Sequence, residues 1–192
     1  MKTTSFKIFK LLSFVLVISL IATSCKTKQK VVPQAGEVEV LTPCSGPDFQ
    51  STSKVLRFSA IGESMDQMTA KKKAMSEARA GLAASVSTLV KGVTDNYVKS
   101  GNYSNKEELM KNYEGMNREV VNQTLNGITV ICEKTMLKKD NTYKYYVCAE
   151  IGGSEVLQSM NKKMTANEML KVDYNYEKFK KTFEEEMSKM GN

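Results

Sequence analysis

The spacing of hydrophobic positions changes several times along the chain, and each change marks an element. Val55-Leu56-Arg57-Phe58-Ser59-Ala60-Ile61 alternates, with Leu56, Phe58 and Ala60 on one face, and stops at Gly62, which predicts a strand. From about Asp66 to Lys99 the residues Met68, Met75, Ala78, Leu82, Val86, Leu89, Val93 and Tyr97 recur at helical spacing, with Ser64 and Gln67 as a capping box ahead of them. Ser100-Gly101-Asn102 interrupts that pattern; Leu109, Tyr113, Met116 and Val120 then define a second helix that stops at Gly127. Two β-rich runs, 128–137 and 143–151, flank Lys139-Asp140-Asn141 and predict a hairpin. Past Gly152-Gly153 the helical pattern resumes near Glu155, and its last part sets Tyr176, Phe179, Phe183, Met187 and Met190 on one stripe, read first as core and second as a partner-binding surface. The sum is an α+β domain: a small antiparallel three-stranded sheet covered by a long helix, with an additional helix before the hairpin and a C-terminal helix. So small a sheet leaves one face and its edges bare, so self-association through the sheet or the helices is expected.

The amino terminus follows a different plan. Lys2, Lys7 and Lys10 precede an apolar run from Leu11 to Ala22, too short for the ~20 residues of a permanent membrane span, which predicts a cleaved signal peptide over residues 1–24. Leu20-Ile21-Ala22-Thr23-Ser24-Cys25 resembles a lipobox, with Ala22 where a leucine is usual. The resemblance implies cleavage before Cys25, a diacylglyceryl group on its thiol and an acyl chain on its new amino group, enough lipid for stable anchoring. The alternatives are a transmembrane anchor and a soluble secreted protein. Residues 25–52 hold all three prolines and no periodicity, and are read as a lipidated, flexible tether; 53–190 are read as the single α+β domain. Lys26, Lys28 and Lys30 are a solvated spacer first and a contact for anionic headgroups second. With no Asp or acidic cluster after Cys25, the expected address is the outer membrane, facing the periplasm; the cell surface is the alternative.

Charge then excludes one class of partner. Three of the 28 basic residues and none of the 21 acidic ones lie in the first 24 positions, so cleavage lowers the net charge from +7 to +4. Interspersed charge of that size does not make the focused basic face of a nucleic-acid binder.

With Cys25 taken by lipid, Cys44, Cys132 and Cys148 remain in a compartment that permits disulfides. A three-residue loop over Lys139–Asn141 sets Lys138 opposite Thr142 and, in the same register, Cys132 opposite Cys148. Cys132–Cys148 is therefore the expected bond, with pairing through Cys44 and two buried free thiols as the alternatives.

Ala60-Ile61-Gly62-Glu63-Ser64, followed by Ala70, Ala74 and Ala78-Arg79-Ala80-Gly81-Leu82-Ala83, resembles the signature of the LPP twenty lipoprotein family, small lipoproteins of the bacterial envelope. Tyr143-Lys144-Tyr145-Tyr146-Val147 is similar to that family's closing strands. The likeness runs from Val55 to Ile151, with 100–125 as an insertion or lengthened helix. It implies a dodecin-like architecture, a helix lying across a small antiparallel sheet, and carries over no catalytic residue. Physically, the alanines let a helix backbone approach a sheet and Gly62 allows a tight turn from strand to helix. Arg79 is read as a surface residue, or as the partner of an acid or of backbone carbonyls.

An enzyme is not expected. The chain has no histidine, which removes Ser-His and Cys-His hydrolases and most zinc sites. Gly62-Glu63-Ser64 has neither the spacing nor the lysine of a phosphate loop. Glu107-Glu108, Glu184-Glu185-Glu186 and Lys71-Lys72-Lys73 are read as solvated helix faces. No catalytic residue, metal ligand or cofactor beyond the lipid on Cys25 is expected. The leading function is a structural or protein-interaction role at the membrane, with a homo-oligomer or an envelope protein as partner. The alternative is a binding module for a small ligand or envelope glycan, with Tyr143, Tyr145 and Tyr146 as a stacking platform.

Overall fold

The structure is a computed structural model that describes Gly36 and residues 40–101, 106–172 and 174–191. The segment expected to be a signal peptide, Cys25 and its neighbouring lysines lie outside the described residues. From Leu41 onward the chain is one compact unit of α+β class. Strand β1 spans Val55–Ser64, helix α1 Gln67–Lys99, α2 Lys106–Thr124, β2 Thr129–Leu137, β3 Tyr143–Gly152 and α3 Gly153–Ala166. A one-turn helix α4 (Glu168–Lys171) and the last helix, α5 (Tyr176–Met190), follow. The sheet is antiparallel in the order β1-β3-β2, and no described helix is long and apolar enough to cross a membrane.

Helix α1 has 33 residues, about 50 Å at 1.5 Å per residue, whereas a ten-residue strand extends about 33 Å. It therefore outruns the sheet, and its sequence changes where it does. Over β1 and β3 its buried residues are Ala70, Ala74, Ala78 and Leu82; beyond them Val86, Leu89, Val90, Val93 and Tyr97 enter a cluster with Val120, Met160, Phe179 and Phe183 from α2, α3 and α5. The small residues set how closely the helix lies on the sheet. A Cβ on Gly62 would stand 2.2 Å from the Ala70 carbonyl oxygen and 2.6 Å from the Ala74 nitrogen, contacts no side chain survives. Met68, placed on the buried stripe from sequence, is 60% exposed, because the alanines rather than the methionines face the sheet.

Other expectations are corrected at element ends. Gly62 makes no turn: β1 continues through Ser64, and the glycine serves the close approach of α1. The cap of α1 is Asp66, whose carboxylate accepts from Thr69 N at 2.7 Å, not a Ser64–Gln67 box. The C-terminal helical region is three helices. Asn167 accepts from Met169 N and Leu170 N, and Asn175 from Lys178 N, so each side chain starts a new helix where a continuous one was expected. The stripe on α5 is core at Phe179, Phe183 and Met187, while Tyr176 is exposed.

The hairpin closes as expected, with Lys138 N donating to Thr142 O at 2.9 Å and Asn141 in the left-handed region at φ 61°. Cys132 stands opposite Cys148 in the ladder, with a bulge between Val130 and Cys132. The expected Cys132–Cys148 bond is nevertheless absent: Cys132 is bonded to Cys44 and Cys148 is a buried free thiol. The correction has a physical reason. Residues 44–52, assigned to the tether from sequence, lie as a strap on the face of the sheet away from α1, including a short 3-10 turn at Pro47–Phe49. The strap brings the Cys44 Cα within 5.5 Å of that of Cys132, and Cys132 can form only one bond. The disulfide closes an 88-residue separation, which in the chain-entropy account stabilises the fold by about 4–5 kcal/mol.

Candidate functional site

The surface that the fold leaves open is the face of the sheet away from α1, together with strand β2. Alternation assigns it Arg57, Ser59, Ile61 and Glu63 from β1, Lys144, Tyr146, Cys148 and Glu150 from β3, and Cys132, Lys134 and Met136 from β2. Its two halves differ.

At the end near the start of β1 the strap covers the face. Arg57 organises this half: Nε donates to Glu150 at 2.8 Å, and Nη1 donates to the Asp48 and Gln50 carbonyls at 3.1 and 3.4 Å. The Ser51 hydroxyl accepts from Arg57 N at 3.0 Å, and Ser59 Oγ donates to the Cys44 carbonyl at 2.6 Å. Cys148, fully buried, lies beneath, its thiol 3.8 Å from the Phe49 carbonyl.

The half near the hairpin loop is uncovered and charged. The Glu63 carboxylate meets Lys144 at 3.2 Å and Lys138 at 3.4 Å, and Lys138 also reaches Asp140 at 3.6 Å. The hydrogen bond from Lys144, then that from Lys138, holds the Glu63 carboxyl below the usual carboxylate range; the same contacts raise both lysines. Lys144 also sits 5.5 Å from the centre of the Tyr146 ring.

Strand β2 joins these regions. Every residue in it except Cys132 is exposed, because α1 lies over β1 and β3 and stops short of β2. Val130, Ile131, Met136 and Leu137 are exposed on its two faces, and β3 is its one strand neighbour among the described residues, so its outward N–H and C=O groups have no strand partner among them. One charged cluster braces it from the helix side. The Tyr145 hydroxyl donates to Glu133, Lys71 reaches the same carboxylate at 3.1 Å, and Lys71 lies 5.4 Å from the Tyr145 ring centre. The Tyr145 hydrogen bond, then Lys71, lowers the Glu133 carboxyl, and burial raises the Tyr145 phenol.

The chain matches no protein-family model, no curated protein and no solved structure.

The expected tyrosine platform does not assemble, since Tyr143 and Tyr145 point to the helix side and Tyr146 to the opposite face. In the lysine triplet, Lys71 is engaged with Glu133 and Lys73 Nζ donates to the Glu63 carbonyl at 3.1 Å; Arg79 is on the surface. Glu107, Glu184 and Glu185 are exposed, while Glu186 accepts from Asn96 at 2.6 Å and from Lys189. The Cys44 pairing stood only as an alternative to Cys132–Cys148, and the bare edges expected of the sheet were not assigned to β2 in particular. The second had a signal: β2 mixes polar and apolar residues on both faces, as a strand without a buried face does.

An exposed strand edge flanked by apolar side chains and by lysines can add an extended segment of another chain through main-chain hydrogen bonds. The carboxylates beside it are held ionised by their donors, which suits ion pairing and not proton donation near neutral pH.

Proposed function

We propose that the protein is a membrane-anchored lipoprotein of the bacterial envelope, lipidated at Cys25 and facing the periplasm from the outer membrane. Its role is non-catalytic: it docks an envelope protein or a second copy of itself along β2 and the uncovered half of the sheet face. The reading deepens the family resemblance and rests on one observation, that β2 is exposed along both faces and its outer edge in an otherwise well-packed unit. Natural sheets blunt such edges unless something covers them. Here the blunting is partial: a bulge near Ile131 and the charges of Glu133 and Lys134 interrupt the strand, while Val130, Ile131, Met136 and Leu137 stay bare. The dispersal of the tyrosines favours this reading over a glycan-stacking module.

The test is photocrosslinking in intact cells from a probe amino acid at Leu137, compared with one at Glu185 on α5, in the native protein and in Cys25→Ala. Crosslinks from Leu137 to a single envelope protein or to a second copy, absent from Glu185 and reduced by Cys25→Ala, are expected. Equal capture from both probes would remove β2 as the docking element. Capture unchanged by Cys25→Ala would remove the requirement for lipid.

A further inference from the structure

Three cysteines lie within one patch of the sheet face, and only two of them are bonded. Cys132 and Cys148 are ladder partners whose side chains project to the same face, so Cys148 is placed against the disulfide that holds the strap. Directly opposed positions of an antiparallel pair stand at a Cα separation that a disulfide can span. Cys44 adds a second observation, since its backbone is in the left-handed region at φ 55°, a conformation costly for a non-glycine residue.

We propose that Cys44, Cys132 and Cys148 form an intramolecular thiol–disulfide exchange centre that opens and closes the strap. When residues 45–52 lift from the sheet face, solvent base removes the proton of the Cys148 thiol that they cover, and its thiolate attacks Cys132 Sγ. The Cys132–Cys148 bond forms, the Cys44–Cys132 bond breaks, and Cys44 leaves as a thiolate that takes up a proton. One disulfide and one thiol stand on each side, so no oxidant or reductant is consumed. The two isomers differ in what they hold. Cys44–Cys132 ties the strap to the sheet; Cys132–Cys148 ties β2 to β3, which are paired already, and leaves the strap on hydrogen bonds to Arg57 and Ser59. In an unfolded chain the 16-residue separation of Cys132 and Cys148 closes roughly tenfold more readily than the 88-residue one, so the hairpin bond is the favoured first product and exchange the route to the latched form. Opening the latch frees the Cys44 thiol and, once the strap lifts, uncovers the Arg57 end of the sheet face. Where the chain ahead of the strap is a lipid tether, it also lengthens that tether by residues 44–52, about 30 Å of extended chain. This last consequence rests on the lipoprotein reading; the exchange itself does not.

Each cysteine of the centre falls in its own tryptic peptide, 31–54, 119–134 and 145–162. The folded full chain carrying Cys25→Ala is incubated without added thiol or denaturant at pH 7, 8 and 9, quenched in acid, alkylated and mapped by mass spectrometry. The expected result is a 119–134/145–162 crosslink together with alkylated Cys44, forming faster as pH rises because the thiolate is the nucleophile, at a rate independent of protein concentration. Cys148→Ser should abolish it and leave Cys44 bonded. The Cys44–Cys132 pair alone at every pH overturns the proposal, as does equal release of Cys44 from the Cys148→Ser chain. The native-cysteine time course stands by itself if that variant does not fold.

Discussion

Gly62 and Gly81 both lie where β1 meets α1, and they constrain the fold to different degrees. A Cβ at Gly62 meets backbone, the Ala70 carbonyl at 2.2 Å and the Ala74 nitrogen at 2.6 Å; one at Gly81 meets the Phe58 ring at 2.4 Å. Phe58 is 38% exposed and can swing aside, whereas the helix backbone cannot. Gly62→Ala should therefore destabilise by about 2–3 kcal/mol or more, and Gly81→Ala by less than about 1 kcal/mol, in urea denaturation followed by circular dichroism. Equal losses would mean that Phe58 is as fixed as the backbone. The alanines were legible as close-packing residues from their helical spacing, whereas Gly62 was read as a turn and its close approach to α1 showed only in the fold. The cysteine pairing was not legible. Register put Cys132 opposite Cys148, and it is opposite, but nothing in the spacing of residues 44–52 announced that they would lie on the sheet.

Among the elements, strands and long helices were readable from periodicity and their ends were not, because ends depend on single hydrogen bonds. Asn175 illustrates the point. Its side chain accepts from Lys178 N at 3.0 Å, and its N–H donates to the Tyr97 hydroxyl at 2.8 Å, while Lys178 Nζ reaches the Ser100 carbonyl at 2.7 Å beyond the last turn of α1. The start of α5 is thus fastened to the end of α1, where a basic group also suits the helix dipole. Asn175→Ala should cost about 1 kcal/mol, and Asn175→Asp, which keeps an acceptor, a few tenths. Thermal melts of the two variants separate them, and identical melting points would show that the cap contributes nothing. The strands of the sheet differ in the same way. β3 has a face buried from Tyr145 to Ile151 and reads as a strand on sight; β2 has none, because α1 does not reach it, and the mixture of polar and apolar residues on both its faces goes with that exposure.

Acid stability is a property of the whole molecule, and its direction follows from four carboxyl groups. Glu63, Asp66, Glu133 and Asp140 each titrate lower in the folded chain, through hydrogen bonds led by Lys144, Thr69, Tyr145 and the Thr142 backbone respectively. The folded state binds fewer protons near pH 4 than the unfolded state, so this stabilisation is complete above the unfolded values near 4 and is lost as pH falls through the folded ones. The melting temperature should stay level from pH 7 to about 5 and drop below about 4. Glu63→Gln should make that drop shallower; a drop as steep as that of the native chain would place its source elsewhere.

The strap and the end of the last helix meet at one corner: a Cβ on Gly191 would stand 2.9 Å from the Thr52 Cα. The hairpin loop at 139–141 lies at the opposite end of the strands, about 30 Å away. Ser45 and Gly46, at the start of the strap, line the same cleft as Met190 and Gly191, so a domain cut there can be spliced as a cassette into a surface loop of a carrier protein. Grafted in that way it would present its hairpin outward, and its fold could be followed free of any lipid or leader.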